Sequence, residues 1–199
     1  QRRTIGGTPT NEFYIDGALV HTGADSTNWT ANNGIDIGTS YWGDHGNFYI
    51  SDLRIDKGSA AYSAAFTPPT APVALASDTK LKLNFSQAGI FDSVSKNSLK
   101  LHGDAQESTT QTKYATTSMK YDGTGDYLTI EDYSNFNFAS PWNFEAWIYP
   151  TNLGSGFNSF YQIGVDSSNG FVIDMSSNGS TPRFLYHVGS WVSLVSSAT

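Results

Sequence analysis

A tight turn between two short alternating segments, at residues 119–130, sets the strongest limit on the fold of this chain. The turn itself, at 122–126, has the sequence Asp-Gly-Thr-Gly-Asp. Glycine adopts the positive φ angles that other residues resist, and Asp side chains at the ends of a turn can bond nearby backbone amides. The pattern predicts two β-strands joined by a five-residue turn.

The segment 142–149 alternates with a period of two, which is typical of a strand. One face carries Trp142, Phe144, Ala146 and Ile148, and the other carries Asn143, Glu145, Trp147 and Tyr149. Alternating runs of similar length recur along the chain, separated by turns rich in Gly, Asn, Asp and Ser. An offset in the run 47–56 indicates a β-bulge near residues 51–52. The sequence therefore predicts an all-β fold, an antiparallel two-sheet β-sandwich of jelly-roll type.

Composition excludes several classes of protein. The chain has 199 residues, no cysteine and a formal net charge of −7, so disulfides and thiolate metal sites are excluded and nucleic acid is a poor partner. No apolar run approaches the roughly 18 residues that cross a membrane. Charged residues make up 15% of the chain, against about a quarter in typical domains. This composition favours an extracellular, cell-surface or virion-surface location.

Five segments resemble one known group of proteins, the laminin-G-like, concanavalin A-like lectin/glucanase superfamily in its bacterial or phage form. They are 117–130, 144–150 (Phe-Glu-Ala-Trp-Ile-Tyr-Pro), 13–17 (Phe-Tyr-Ile-Asp-Gly), 49–55 (Tyr-Ile-Ser-Asp-Leu-Arg-Ile) and 61–72. The resemblance implies a concanavalin A-like jelly roll and a non-catalytic module that binds glycans or mediates adhesion.

The order of these segments along the chain differs from their order in a domain of the family. Motifs that close a family domain come first here, and motifs that open one follow a proline-rich stretch that ends at Pro72. We interpret residues 1–72 as the C-terminal half of one laminin-G-like domain and 73–199 as the N-terminal half of the next, in a tandem repeat. The alternative is a single permuted domain made of both halves, which nearby surface termini permit.

Catalysis is not expected. The resemblance implies that a glucanase of the superfamily would carry the motif Glu-x-Asp-x-x-Glu on a strand. The carboxylates of that motif act as nucleophile and general acid. None of the four glutamates of this chain begins that motif. The four histidines are far apart in the sequence and lack the spacing of a metal site.

Candidate binding residues are aromatic and polar. Carbohydrate sites combine aromatic faces with a few directed polar groups, and loops on a rigid sandwich often carry them. The candidates in the loop 39–46 are Tyr41, Trp42, Asp44 and His45; those on the second face of the strand 142–149 are Glu145, Trp147 and Tyr149; Trp29 is a further aromatic candidate. Calcium is common in the superfamily, and the resemblance implies oxygen ligands from Asp92, Asn97, Asp122 and Asp126.

A structural role is the alternative function. The domain would then be a spacer or decoration module in a phage tail, fibre or capsid surface, and its partners would be neighbouring domains or copies of the same chain. Low charge and tandem repetition fit this role as well as glycan binding. An exposed aromatic platform would distinguish the lectin-like role from the structural one.

Overall fold

The computed structural model of the protein describes residues 1–29, 34–85, 92–94, 97–131, 134, 136, 138, 141–152, 156–166, 169–176 and 181–195. All regular structure in these residues is β, and two antiparallel sheets pack together as a sandwich. The predicted fold class is confirmed at this level, and the jelly-roll connectivity stays a prediction. Among the described residues there is no helix long and apolar enough to cross a membrane.

Fifteen strands are formed by the described part of the chain. Their bounds are β1 Arg2–Ile5, β2 Thr8–Ile15, β3 Ala18–Ala24, β4 Ile35–Ile37, β5 Asn47–Lys57, β6 Thr79–Leu83, β7 Leu99–His102, β8 Gln106–Ser108, β9 Ser118–Asp122, β10 Tyr127–Ile130, β11 Trp142–Pro150, β12 Asn158–Asp166, β13 Asn169–Met175, β14 Pro182–His187 and β15 Trp191–Val195. The first sheet has the order β3-β2-β1-β11-β5-β9-β8, with β6 also paired to β5. The second has the order β15-β14-β13-β12-β4-β10-β7.

Strands from the first 57 residues interleave with strands from the rest of the chain in both sheets. β4 lies between β10 and β12, and β5 lies between β11 on one side and β6 and β9 on the other. Within this chain the two segments therefore build one sandwich together. The assignment of 1–72 and 73–199 to successive domains of a longer chain stays a prediction, because matching halves of neighbouring repeats would pair in the same way.

The turn at 122–126 connects the two sheets. β9, before it, pairs with β5 and β8, whereas β10, after it, pairs with β4 and β7. Gly123 and Gly125 have φ angles of 87° and 77°, as the turn sequence predicts. The Thr124 amide donates to Asp122 Oδ1 at 2.7 Å, and the Asp122 amide donates to Asp126 Oδ2 at 3.0 Å. The two aspartates therefore hold a crossover between layers.

Aromatic side chains fill much of the space between the sheets. Trp142 stacks on Phe171 with ring centroids 5.1 Å apart, and Trp29 lies 5.0 Å from the same ring. The apolar face predicted for β11 does point into this core. Trp29, proposed from the sequence as a binding aromatic, is fully buried there and offers no surface to a ligand.

Candidate functional site

The loop 39–46 is a compact structure that presents two aromatic rings. Its ends are joined by a bridge between Thr39 and His45, and the Gly43 amide donates to the Ser40 carbonyl at 2.9 Å. That bond closes a turn with Tyr41 and Trp42 at its centre, and Gly43 follows with a φ of 76°. Tyr41 is 52% exposed and Trp42 is 50% exposed. The turn thus holds both rings out from the sandwich.

Trp42 rests on a third aromatic residue, from the hairpin β14–β15. The ring centroids of Trp42 and Trp191 are 5.0 Å apart in an edge-to-face arrangement, and Tyr41 packs on Trp42 at 6.1 Å. His187, the cross-strand partner of Trp191, contacts the Trp191 ring at 5.4 Å. We call Tyr41, Trp42 and Trp191 the aromatic surface, and the His187 ring that contacts Trp191 is itself buried. Edge-to-face packing of this kind restricts ring motion and keeps the surface rigid.

Asp44, in the same loop, acts electrostatically on a buried ion pair of the second sheet. Asp44 accepts a hydrogen bond from the Ser40 hydroxyl at 3.2 Å, and its charge reaches Asp174. Asp174 accepts two bonds from Arg183, at 2.8 Å and 2.6 Å, and the Arg183 guanidinium lies 4.4 Å from the centre of the Phe157 ring. Burial, with a contribution from Asp44, raises the pKa of the Asp174 carboxyl to about 6 although Arg183 acts to lower it.

His45 belongs to a different contact. Its ring lies 6.0 Å from Tyr127, and the same tyrosine stacks on His102 at 4.0 Å. Of the four loop candidates, Tyr41 and Trp42 therefore join the aromatic surface, Asp44 lies near its charged neighbours, and His45 packs against β10.

The three candidates on β11 lie on the outer face of the other sheet and are held in separate contacts. Glu145 forms an ion pair with Arg54 at 3.1 Å and accepts a bond from the Tyr62 hydroxyl at 3.0 Å. The Lys113 ammonium covers the Trp147 ring at 3.7 Å from its centroid. Tyr149 is 52% exposed and packs edge-to-face on Tyr49. The Glu145 carboxylate and the Trp147 ring are therefore already in contact with other side chains, whereas the Tyr149 ring is half exposed to solvent.

Two of the four predicted calcium ligands come together with a residue that the sequence analysis missed. Single oxygens of Asp104, Asp122 and Asp126 all lie within 4.8 Å of one another. Asp126 is buried, and its carboxylate accepts bonds from the Asp104 and Asp122 amides at 2.8 Å and 3.0 Å. Burial, with the charge of Asp122 adding to it, raises the pKa of the Asp126 carboxyl above its usual value. In the described part of the chain no Lys or Arg pairs with these three carboxylates.

Asp92 and Asn97 form their own local structure instead. Asp92 Oδ1 accepts bonds from the Lys82 and Val94 amides, both at 3.1 Å. Asp92 Oδ2 accepts from the Asn97 backbone and side-chain amides at 3.2 Å and 2.6 Å. A carboxylate has about four acceptor positions, so these four bonds use the oxygens that a calcium ion would need. The pair attaches residues 92 and 97 to β6.

Comparisons of the chain with models of protein families, with curated proteins and with solved structures found no match. Sequence reasoning did not select Trp191 or His187. One pattern in the sequence does, however, indicate the position of Trp191. In β15 the core-facing residues are Val192 and Leu194, so the alternation places Trp191 on the outer face.

Proposed function

We propose that this protein is a non-catalytic, lectin-like module that binds glycans through the aromatic surface. The observation that carries the proposal is the half-exposed pair Tyr41 and Trp42, held outward by a closed turn and supported by Trp191. Exposed aromatic side chains on a monomeric protein usually mark a binding surface when they form a patch. A rigid patch also loses little conformational entropy when a ligand binds.

The chemistry of the aromatic surface suits a sugar. Aromatic faces bury the apolar C–H faces of a pyranose ring, and a few polar groups beside them can bond its hydroxyls. Asp44, two residues after Trp42 in the same loop, supplies one such group. Asp44 is acidic, so the surface favours neutral polysaccharides over acidic ones.

The wider setting of the proposal is a laminin-G-like domain in a larger extracellular, cell-surface or virion-surface protein. The small share of charged residues, 15%, and the net charge of −7 support this setting. Two ion pairs support a binding role without catalysis. Glu145 pairs with Arg54, and Glu12 pairs with Arg3. An arginine partner stabilises the ionised form of a carboxylate and so disfavours its use as a general acid.

Calcium is the cofactor that we propose for the turn at 122–126. Carboxylate oxygens are the ligands that calcium prefers, and six to eight are needed, so Asp104, Asp122 and Asp126 would form part of the ligand set. The two positive charges of the ion would offset much of the repulsion among the three neighbouring carboxylates and stiffen the crossover between the sheets.

A glycan array read with the purified protein tests the proposal. We expect binding to one class of neutral glycan, and Trp42→Ala should weaken it at least about tenfold, the loss of about 1.4 kcal/mol. Tyr149→Ala is the matched control, since Tyr149 and Tyr41 are both 52% exposed. A second reading of the array after a chelator has removed calcium tests whether glycan binding needs the ion. Asp104→Asn should remove any dependence of glycan binding on calcium.

Two results would overturn the proposal. Loss of binding in Tyr149→Ala but not in Trp42→Ala would move the site to the outer face of the other sheet. No binding to any glycan, by a protein that melts normally, would favour the structural spacer or decoration module with protein contacts only.

A further inference from the structure

A buried lysine and a buried aspartate meet on the outer face of the first sheet. Lys82 in β6 and Asp52 in β5 form an ion pair whose side chains are 7% and 4% exposed, respectively. In the ladder between these strands Lys82 lies directly opposite Arg54, so it reaches Asp52 along a diagonal. Diagonal neighbours on one face of a sheet are within reach of a long side chain. The pair therefore bridges two adjacent strands, and its residues are 30 positions apart in the sequence.

This pair differs from the other ion pairs in the described part of the chain. Four of those use an arginine, whose guanidinium does not lose its proton in a protein. The remaining one, between Lys100 and Glu131, has side chains that are 59% and 54% exposed. Among the described residues, Lys82 and Asp52 are thus the one lysine and carboxylate that are paired and buried together.

The local backbone holds the Asp52 carboxyl against Lys82. Asp52 has a φ of 53°, in the left-handed region, at the point where the ladder between β5 and β11 shifts register. A bulge of this kind redirects a side chain. Asp52 Oδ2 accepts a hydrogen bond from the Val73 amide at 3.1 Å, and Oδ1 contacts the Lys82 Nζ. One bond on each oxygen therefore fixes the carboxyl.

The Lys82 ammonium has few partners for a buried charge. An ammonium can donate three hydrogen bonds, but in the part of the chain that the structure describes this one bonds to Asp52 alone. Arg54, directly opposite on β5, places a second positive charge on the same face. Burying a charged pair is costly unless further hydrogen bonds satisfy both groups. A neutral link between the two side chains would remove this cost.

We propose that Lys82 and Asp52 condense into an isopeptide bond, an amide between Nζ and Cγ, with release of one water molecule. The ammonium first passes a proton to Asp52 Oδ1, which gives an amine and a carboxylic acid. The Nζ lone pair then attacks Cγ, and the electron pair of the carbonyl moves to Oδ2. A second proton passes from Nζ to Oδ1, the Cγ–Oδ1 bond breaks, and water leaves as the carbonyl re-forms. No further reactant is consumed, because both protons of the water come from the ammonium.

Three features of the structure favour this reaction. The reacting groups are held together, and well-oriented intramolecular reactions reach effective molarities of about 10⁵–10⁸ M. The Val73 amide already bonds to Oδ2, the oxygen on which negative charge develops, as the donors of an oxyanion hole do. A cavity of about 430 Å³ borders both side chains, and the released water can leave through it.

The bond would act as a disulfide does, in a chain that has no cysteine. It would close a loop from residue 52 to residue 82, which contains the proline-rich stretch that ends at Pro72. A cross-link restricts the unfolded chain and so stabilises the folded one. It would also join the segment 1–72 covalently to the segment 73–199.

The intact mass of the purified 199-residue protein, measured after denaturation, tests the proposal. We expect this mass to be lower than that of the sequence by the mass of one water molecule. Trypsin does not cleave after an acylated lysine, so a digest should contain one cross-linked product that joins residues 4–54 to residues 81–96. Fragmentation of this product should place the bond between Lys82 and Asp52.

Two variants form a matched pair. Lys82→Arg keeps the positive charge but carries no amine to acylate, so its mass should equal that of its own sequence. Lys100→Arg makes the same change in the exposed pair with Glu131, and it should lose one water molecule as the unaltered protein does. If Lys82→Arg fails to fold, the masses of the unaltered protein and of its digest still decide the question.

Three outcomes would overturn the proposal. The first is the full sequence mass for the unaltered, folded protein, and the second is a loss of water that persists in Lys82→Arg. The third is a loss of water that digestion places elsewhere, for example at Asp16 or Asp122, since an aspartate followed by glycine can cyclise with loss of water.

Discussion

Asp174 shows how one buried carboxyl makes the stability of this protein depend on pH. The residue is 2% exposed, and burial outweighs the effect of Arg183 to raise its pKa to about 6. In an unfolded chain the pKa of an Asp is about 3.9. Between these two values the folded protein binds more protons than the unfolded chain. The contribution of this group to the free energy of unfolding is therefore greatest below about pH 4 and decreases as the pH rises to about 6.

We expect the Asp174→Asn variant to lose this dependence. The free energy of unfolding of the unaltered protein, minus that of the variant, should fall by up to about 3 kcal/mol between pH 4 and pH 6.5. Urea denaturation at a series of pH values measures the difference, and Asp16→Asn, which removes an exposed carboxylate, is the control. A difference that grows with pH would mean that the ion pair with Arg183 dominates.

At the scale of the element, β5 is the strand on which the first sheet depends. It pairs with β11 along one side and with β9 and β6 along the other. A bulge interrupts the first of these ladders, since Glu145 faces Arg54 but Trp147 faces Ser51. Asp52, in the bulge, has a φ of 53°, and its carboxylate accepts a bond from the Val73 amide and pairs with Lys82. The bulge predicted near residues 51–52 is confirmed, and it fixes the segment after β5 to the outer face of the sheet.

Amide hydrogen exchange should distinguish β5 from the edge strands. Ile50, Leu53 and Ile55 are almost completely buried in a strand that is paired on both sides, so their amides should exchange only when the whole protein unfolds. Amides of β15, which lies at the edge of the second sheet beside β14 in the described part of the chain, should exchange through local opening. Exchange followed by NMR at low urea concentrations measures both, and the urea dependence at β5 should equal that of global unfolding. A weaker dependence at β5 than at β15 would contradict this assignment.

For the whole molecule, the interleaved order of strands makes each segment depend on the other. β4 has both of its partners, β10 and β12, in the later segment, and β5 has all of its partners there. Residues 1–72 alone would expose the apolar side chains of β4 and β5 and leave their backbone groups unpaired.

We therefore expect fragments 1–72 and 73–199 to remain unfolded separately and to assemble when mixed. Circular dichroism and NMR of each fragment, and of the equimolar mixture, measure this, and the intact chain gives the reference spectrum. A fragment that folds by itself would show that the two segments are independent units in this protein.

The sequence by itself determined the local features. Alternation predicted the strand class and the two faces of β11, the Gly and Asp residues predicted the conformation of the turn at 122–126, and a shift in the alternation predicted the bulge in β5. These features depend on backbone geometry and on residues two to four positions apart, which a sequence displays directly.

Only the tertiary structure decided which distant residues meet. Trp191 supports Trp42, Lys113 covers Trp147, Asp104 joins Asp122 and Asp126, and β9 and β10 separate into different sheets. The physical reason is that such contacts depend on strand order and register across the sandwich, and periodicity along the chain carries no information about either.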